Sequence, residues 1–238
     1  MRSLTTVLGL LVAVVLLLGL LLPSGRSRSG GTRTECENNL RRIAIALFDY
    51  HLRYRSLPPA CVRDAEGRPM HSWRALLLPF LDRPDLVAAY RLDEPWDGPH
   101  NRKLHATRMD IFRCPEAGRR STETSYVAVT GPGTIWGEDV PLDWNESNSW
   151  DGLGQTIMLV EMTNSGIHWL EPRDLPLSET APTINSQTGR GISSRHPGIA
   201  VVAFADGRVK PLADNLPPAV VRALLTVHGD DRLRDEDF

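Results

Sequence analysis

Residues His196 to Leu212 limit the fold more than any other stretch of the chain. They read His196-Pro197-Gly198, an apolar run from Ile199 to Ala205, Asp206-Gly207, and then Arg208-Val209-Lys210-Pro211-Leu212. Asp-Gly between two short runs rich in Val, Phe and Ala is a strong hairpin signal, because the favoured two-residue turn needs positive φ at both central residues. The first run is apolar throughout and is expected to be buried on both faces. The second alternates, with Arg208 and Lys210 on one side and Val209 on the other. His196 and Asp206 invite reading as a catalytic pair, but seven extended residues at about 3.3 Å each set them on the order of 23 Å apart. Asp206-Gly207 is therefore expected as the turn, and His196 as a loop residue entering the strand.

The 238 residues carry a net charge of -2, and no basic face with interleaved aromatics argues for nucleic-acid binding. Gly and Pro, at 19 and 18 residues, point to many turns and short elements. Leu4 to Leu22 is uncharged and dominated by Leu and Val. As a helix it would span about 28 Å, close to one hydrocarbon core. It ends Leu22-Pro23-Ser24-Gly25 without a small-x-small cleavage site, so a single-pass anchor over 1–22 is favoured over a cleaved signal. Arg26, Arg28 and Arg33 follow the segment, and taken alone they would keep the body in the cytoplasm. The three cysteines, Cys36, Cys61 and Cys114, lack metal-ligand spacing. In an exported body two of them could pair, and in a cytoplasmic one all three would be free.

Residues 23–33 have the composition of a flexible linker. Thr34-Glu35-Cys36-Glu37 reads as a capping box, and Leu40, Ile43, Leu47, Tyr50 and Tyr54 then form an apolar stripe at helical spacing until Ser56-Leu57-Pro58-Pro59 stops it. Short helices are expected over Ser72–Leu81 and Pro84–Tyr90, and a strand over Ile111–Pro115. A β-rich run covers Thr124–Thr130, and a loop follows over Ile135–Trp150. Thr156–Glu161 reads as the clearest central strand, with Ile167–Leu170 pairing to it across Asn164-Ser165-Gly166. Pro172–Arg190 reads as loop, Pro217–Leu225 as a short terminal helix, and 230–238 as a solvated acidic tail. The fold class is α+β: an N-terminal transmembrane helix, then a long helix on a mainly antiparallel sheet with long loops, the globular part covering 34–229.

Chemical motifs are sparse. Asp151, Glu161, Glu171, His196 and Asp206 are the polar residues beside strand ends. Three of them together could hold a divalent cation, with so much oxygen favouring calcium, yet no Asp-x-Asp-x-Asp loop, His-Glu-x-x-His or paired Cys is present. No metal, cofactor or catalytic residue is expected. Ser193 and Ser194 stand near His196 without a Gly-x-Ser-x-Gly elbow. Trp136, Trp144, Trp150 and Trp169 lie in or beside loops, where they either pack those loops on the sheet or offer contact surface.

Taken in order, a series of short motifs carries a resemblance. They include Cys36-Glu37-Asn38-Asn39-Leu40-Arg41-Arg42-Ile43, Leu57-Pro58-Pro59, Ser72-Trp73-Arg74 and Phe112-Arg113-Cys114-Pro115. Ser125-Tyr126-Val127, Asp151-Gly152 with Thr156–Glu161, Asp174-Leu175, and His196-Pro197-Gly198 with Phe204-Ala205-Asp206-Gly207 complete them. Together they resemble the bacterial prepilin-like family built on domain of unknown function 1559, with its prepilin-type processing-associated His-x9-Asp-Gly motif. The resemblance implies an architecture similar to type IV pilins and type II secretion pseudopilins. It also implies a body outside the cytoplasmic membrane, since large domains translocate despite flanking charge, and with that a Cys36–Cys114 disulfide leaving Cys61 free. The shared Asp151, Gly152, Glu161, His196, Asp206 and Gly207 are taken as structural. Three departures matter. Met1 to Leu11 has no Gly-Phe-Thr-Leu junction and no acid, so cleavage by prepilin peptidase is not expected, and Pro23 with the linker interrupts the continuous pilin helix. Gly154-Gln155 also replaces the usual Ser-Asn.

The expectation is a non-enzymatic, pseudopilin-like envelope protein, held single-pass in the inner membrane by residues 4–22 with its body on the periplasmic side. It would act through protein contacts in secretion or surface assembly. The alternative is an extracytoplasmic solute- or glycan-binding module using Trp144, Trp150, Trp169 and His196.

Overall fold

The computed structural model describes residues 28–118, 121–138, 141, 143, 151–187, 190–228, 233–234 and 236–238. The expected anchor over 1–22 lies outside them, as do Trp144 and Trp150. No helix of the described residues is long and apolar enough to cross a membrane. Residues 32–238 form one compact unit.

Its first residues belong to helix α1 (Arg28–Tyr54). Strands β1 (Cys61–Arg63) and β2 (Pro69–Ser72) form a small antiparallel ribbon, followed by the short helices α2 (Trp73–Leu76) and α3 (Pro84–Ala89). Next come β3 (Tyr126–Val127), β4 (Val129–Thr130), β5 (Ile157–Glu161) and β6 (Leu175–Pro176). The hairpin β7 (Ile199–Phe204) and β8 (Val209–Ala213) precedes the terminal helix α4 (Pro218–Leu225). The central sheet has the order β3-β5-β7-β8 and is antiparallel throughout, whereas β4 and β6 make a separate parallel pair.

Alternation along β7 divides the core. Val201, Ala203 and Ala205 face one side, together with Leu159 of β5 and with Leu40, Ile43 and Leu47 of α1. Ala200, Val202 and Phe204 face the other, together with Val160 and with Val221 and Leu224 of α4. Both faces of the sheet are covered, so Ala200 through Ala205 are buried without exception, as the uninterrupted apolar run requires.

The two ends of β7 are made by different turns. At its start, His196 O accepts from Ile199 N–H at 3.4 Å, with Pro197 and Gly198 between and Gly198 at φ +76°. Pro then Gly at these positions is the composition of a type II turn. At its end, Gly207 N–H donates to Phe204 O at 2.9 Å and Phe204 N–H to Arg208 O at 2.8 Å. Only Gly207, at φ +85°, takes a left-handed conformation, so the expectation of two positive φ values is corrected. The loop is one residue longer than the two-residue turn, and such a loop needs a single left-handed residue. The Asp206 carboxylate accepts from Arg208 N–H at 2.9 Å and closes the turn.

Helix α1 is already helical at Arg28, so residues 28–33 of the expected linker belong to the helix and Thr34 does not start it. Glu37 is no capping residue. Its carboxylate pairs forward and back along the helix, with Arg33 at 3.0 Å and Arg41 at 3.3 Å. These i,i+4 pairs offset part of the cost of Gly30 and Gly31. The stripe is buried at Leu40, Ile43 and Leu47, but Tyr54 is exposed.

Three further expectations are corrected. Residues 110–112 form a 3-10 turn rather than a strand, held by Asn39 of α1, whose amide donates to Asp110 O and Arg113 O at 3.2 Å each. Ile167–Leu170 does not pair with β5, because both edges of β5 are taken by β3 and β7. Instead, Ile167 O accepts from Thr124 N–H at 2.8 Å. The tail is not simply solvated: the Phe238 ring packs 5.5 Å from that of Phe204, and Lys210 lies over it at 4.3 Å.

Gly207→Ala places a Cβ 2.8 Å from Phe48 Cε2 of α1 at a positive φ. A loss of about 1–3 kcal/mol in chemical denaturation is expected. Adding Phe48→Ala should not restore that loss, since it relieves the clash but not the backbone.

A buried histidine, His71, and a half-buried one, His168, set a pH dependence. His71 stands between Tyr90 OH at 2.8 Å and Leu92 O at 3.1 Å, and His168 Nε2 meets His105 O at 3.0 Å. Burial lowers both imidazoles below the ordinary histidine value. The unfolded chain therefore takes up protons first. Stability should fall as pH drops through about 6.5 and level off below the folded-state values. Denaturation midpoints across this range check it, and His71→Gln should flatten the slope.

Candidate functional site

Four chemically active side chains converge where α1, β5 and the turn before β7 meet. Cys36 sits on the buried side of α1, on the same face as Asn39 and Leu40. Cys114 follows the 3-10 turn that Asn39 holds, and its N–H donates to Ser125 Oγ at 3.0 Å. Glu161 ends β5 on the face that alternation turns toward α1. His196 opens the type II turn, its N–H donating to Ser194 Oγ at 3.1 Å. All four are buried, and one ligand atom from each lies within 4.8 Å of every other. The two sulfurs are 2.9 Å apart and both cysteines are free. His196 Nε2 lies 3.2 Å from Cys36 Sγ, 3.8 Å from Cys114 Sγ and 4.0 Å from Glu161 Oε1.

The carboxylate is half satisfied. Glu161 Oε2 accepts from Val201 N–H at 3.2 Å, but Oε1 makes no hydrogen bond among the described residues. Burial pushes the Glu161 carboxyl above its ordinary value, opposed by the Ser194 hydroxyl and Val201 N–H. The Cys36 thiol is driven well above the thiol range by its hydrogen bond to Cys114 and by burial. Tyr126, whose OH donates to Cys36 O at 3.4 Å, is likewise raised by burial. With a cation present, the donors of this corner would be two thiolates, an imidazole and a carboxylate.

A family described as protein of unknown function, DUF1559, matches residues 27–170, more than half of the chain. The chain belongs to the DUF1559 family. No curated protein and no solved structure matches it. The DUF1559 match covers Cys36, Cys114 and Glu161, while His196 and the β7–β8 hairpin lie beyond residue 170.

The sequence named all four clustered residues but in separate roles, two as a disulfide and two as structural. Cys36 and Cys114 do meet. The polar residues beside strand ends separate: Glu161 joins His196, whereas Asp206 closes the opposite end of β7. Asp151 N–H instead bonds Val227 O at 3.0 Å, Gly152 takes φ +124°, and Glu171 pairs with Arg173 at 2.5 Å. Gly154 O accepts from Arg208 at 2.8 Å, tying the Asp151–Gln155 segment to the Asp206-Gly207 turn. Trp169 is corrected as a ligand contact. It is buried and its Nε1–H donates to Thr107 O at 2.8 Å, because the loop folds inward and its ring packs with Phe112. Trp136 is buried too, donating to Met158 O at 2.6 Å.

A second buried polar group differs in one respect. Arg74 Nη2 meets Asp174 Oδ1 at 2.5 Å, and that carboxylate also accepts from Ala128 N–H at 2.8 Å and from Trp73 Nε1. Burial pushes the Asp174 carboxyl up and the Arg74 guanidinium down, and the facing charge of each opposes the other's shift, with Ala128 N–H and Trp73 Nε1 supporting the carboxylate. Every polar atom there has a use, so it is architecture. Arg74→Met should cost about 3–5 kcal/mol by stranding the Asp174 charge, and Arg74→Met/Asp174→Leu should recover most of it in denaturation experiments.

Proposed function

We propose that this DUF1559 protein is a non-enzymatic, pseudopilin-like component of the cell envelope. It is anchored in the inner membrane by residues 4–22, with its body on the periplasmic side, and it acts by protein contact in secretion or surface assembly. The observation that carries this reading is helix α1. It is long, it follows the apolar Leu4–Leu22 segment in sequence, and it packs along one face of an antiparallel sheet. The His196–Gly207 stretch fits the prepilin-associated His-x9-Asp-Gly signature in spacing, with its two ends serving as turns.

An exposed apolar patch supports the protein-contact part. Tyr54, Val87 and Leu92 remain more than 40% exposed and, with Tyr50, Pro79 and Tyr90, line a cleft of about 260 Å³. Apolar side chains gathered at one end of a helix mark contact surfaces more often than scattered ones do. The solute- or glycan-binding alternative has less to rest on, since Trp169 is buried.

Fractionation of native cells tests the reading. The protein should sediment with the cytoplasmic membrane and resist carbonate extraction, and its body should be digested by protease added to spheroplasts. N-terminal sequencing should find residues 4–22 retained. Recovery as a soluble cytoplasmic protein, or protection of the body from external protease, would overturn it.

A further inference from the structure

We infer that Cys36, Cys114, Glu161 and His196 form a closed, four-coordinate site for a divalent zinc-type ion, which ties α1 to the central sheet. The donor set carries the inference. Two sulfurs, an imidazole nitrogen and a carboxylate oxygen, one from each of four separate segments, already lie within 4.8 Å of one another. A tetrahedral zinc ion with Zn–S near 2.3 Å and Zn–N near 2.0 Å sets its ligands roughly 3.3–3.8 Å apart. The sulfur–nitrogen distances of 3.2 and 3.8 Å fall about this range, and the oxygen–nitrogen distance of 4.0 Å lies just outside it. The sulfurs, at 2.9 Å, must open by about 0.9 Å, which small rotations about the Cα–Cβ bonds supply.

The second observation is the orphan oxygen. Glu161 Oε1 is buried, points into the cluster and makes no hydrogen bond among the described residues. A Cys36–Cys114 disulfide would satisfy the sulfurs and leave this oxygen and His196 Nε2 facing an uncharged bond. An ion gives all four atoms a partner. Mixed thiolate, imidazole and carboxylate ligands suit zinc better than calcium or magnesium, which take oxygen alone.

The surroundings hold the ligands as a metal site requires. Glu161 Oε2 is fixed by Val201 N–H, the Cys114 segment by Asn39 and Ser125, and His196 Nδ1 lies 4.0 Å from Glu116 Oε1. Access is from two sides, through a cavity of about 200 Å³ lined in part by Cys114 and Glu161, and a cleft of about 440 Å³ that reaches His196. On binding, the two thiols lose their protons to solvent and coordinate as thiolates, and the imidazole enters neutral. The ion closes chain loops between residues 36, 114, 161 and 196, so its role is structural.

The test uses the full-length chain, purified with detergent and reductant, loaded with zinc chloride and desalted. Elemental analysis should find one zinc per chain, with a raised melting temperature. Cobalt(II) in its place should give thiolate-to-metal charge transfer and the visible bands of a tetrahedral centre. Cys114→Ser should abolish that charge-transfer signature, and Cys61→Ser should leave it intact. Glu161→Gln, close in shape, guards against misfolding: it should keep the circular dichroism spectrum and weaken zinc binding about tenfold or more. The inference is overturned if the reduced, folded chain takes up no zinc, or if Glu161→Gln binds as the parent does. It also fails if protein alkylated in intact cells carries a Cys36–Cys114 disulfide and no metal. None of these outcomes depends on the envelope reading, which fractionation judges separately.

Discussion

The packing of α1 on the sheet is the contact from which the rest of the molecule follows. Leu40, Ile43 and Leu47 enter a layer formed by Leu159 of β5 and by Val201 and Ala203 of β7. Each large aliphatic side chain so buried contributes on the order of 1.5–3 kcal/mol. Because β5 and β7 lie at the centre of the sheet, the helix rests on strands whose edges are already paired. Its position is therefore set by shape, supplemented by side-chain bonds such as Tyr126 OH to Cys36 O at 3.4 Å. Asn39 carries the effect outward: from the buried face of the helix it holds the backbone of residues 110–113 and so sets Cys114 beside Cys36.

Polar groups inside this core sort into two kinds. Arg74 and Asp174 join the α2 region to the β4–β6 region, and the donors around them are matched to acceptors. The corner formed by Cys36, Cys114, Glu161 and His196 is as deeply buried, yet among the described residues one acid oxygen makes no hydrogen bond. A dry interior tolerates the first arrangement because it is complete. The second lacks that completeness, and this difference separates a structural polar pair from a chemical one.

Much of the architecture was legible in the sequence where one local rule acted alone. The 3.6-residue stripe of α1, the apolar run of β7 and the Asp-Gly turn all follow from spacing, and the α+β class follows from them. Errors arose where tertiary contacts outbid a local signal. Thr34 and Glu37 have the letters of a capping box, but Glu37 has arginines four residues away on each side. Ile111–Pro115 has strand residues, but Asn39 of α1 holds the backbone of 110–113 in a 3-10 turn. Ile167–Leu170 follows a good turn, but β5 had no edge left to offer. Of the clustered site, each residue was visible by type and the resemblance paired Cys36 with Cys114; their meeting with Glu161 and His196 was not visible, since Cys36 and His196 are separated by 160 positions and no spacing rule reaches so far. The clue within reach was Glu161, an acid on the helix-facing side of a central strand.

Strand β7 and helix α1 run in the same direction and touch at both ends. At one end His196 Nε2 stands 3.2 Å from Cys36 Sγ, and at the other Gly207 lies under Phe48. Along the helix, Cys36 and Phe48 are twelve residues apart, about 18 Å at the helical rise. The strand with its two turns runs between the same two contacts, and it has a fixed number of residues in which to do so. The interval between the histidine and the Asp-Gly pair is thus a gauge cut to the helix. One residue more or fewer in the strand would reverse its faces and carry one turn off its seat. A spacing that resembles a catalytic signature is a measure of length.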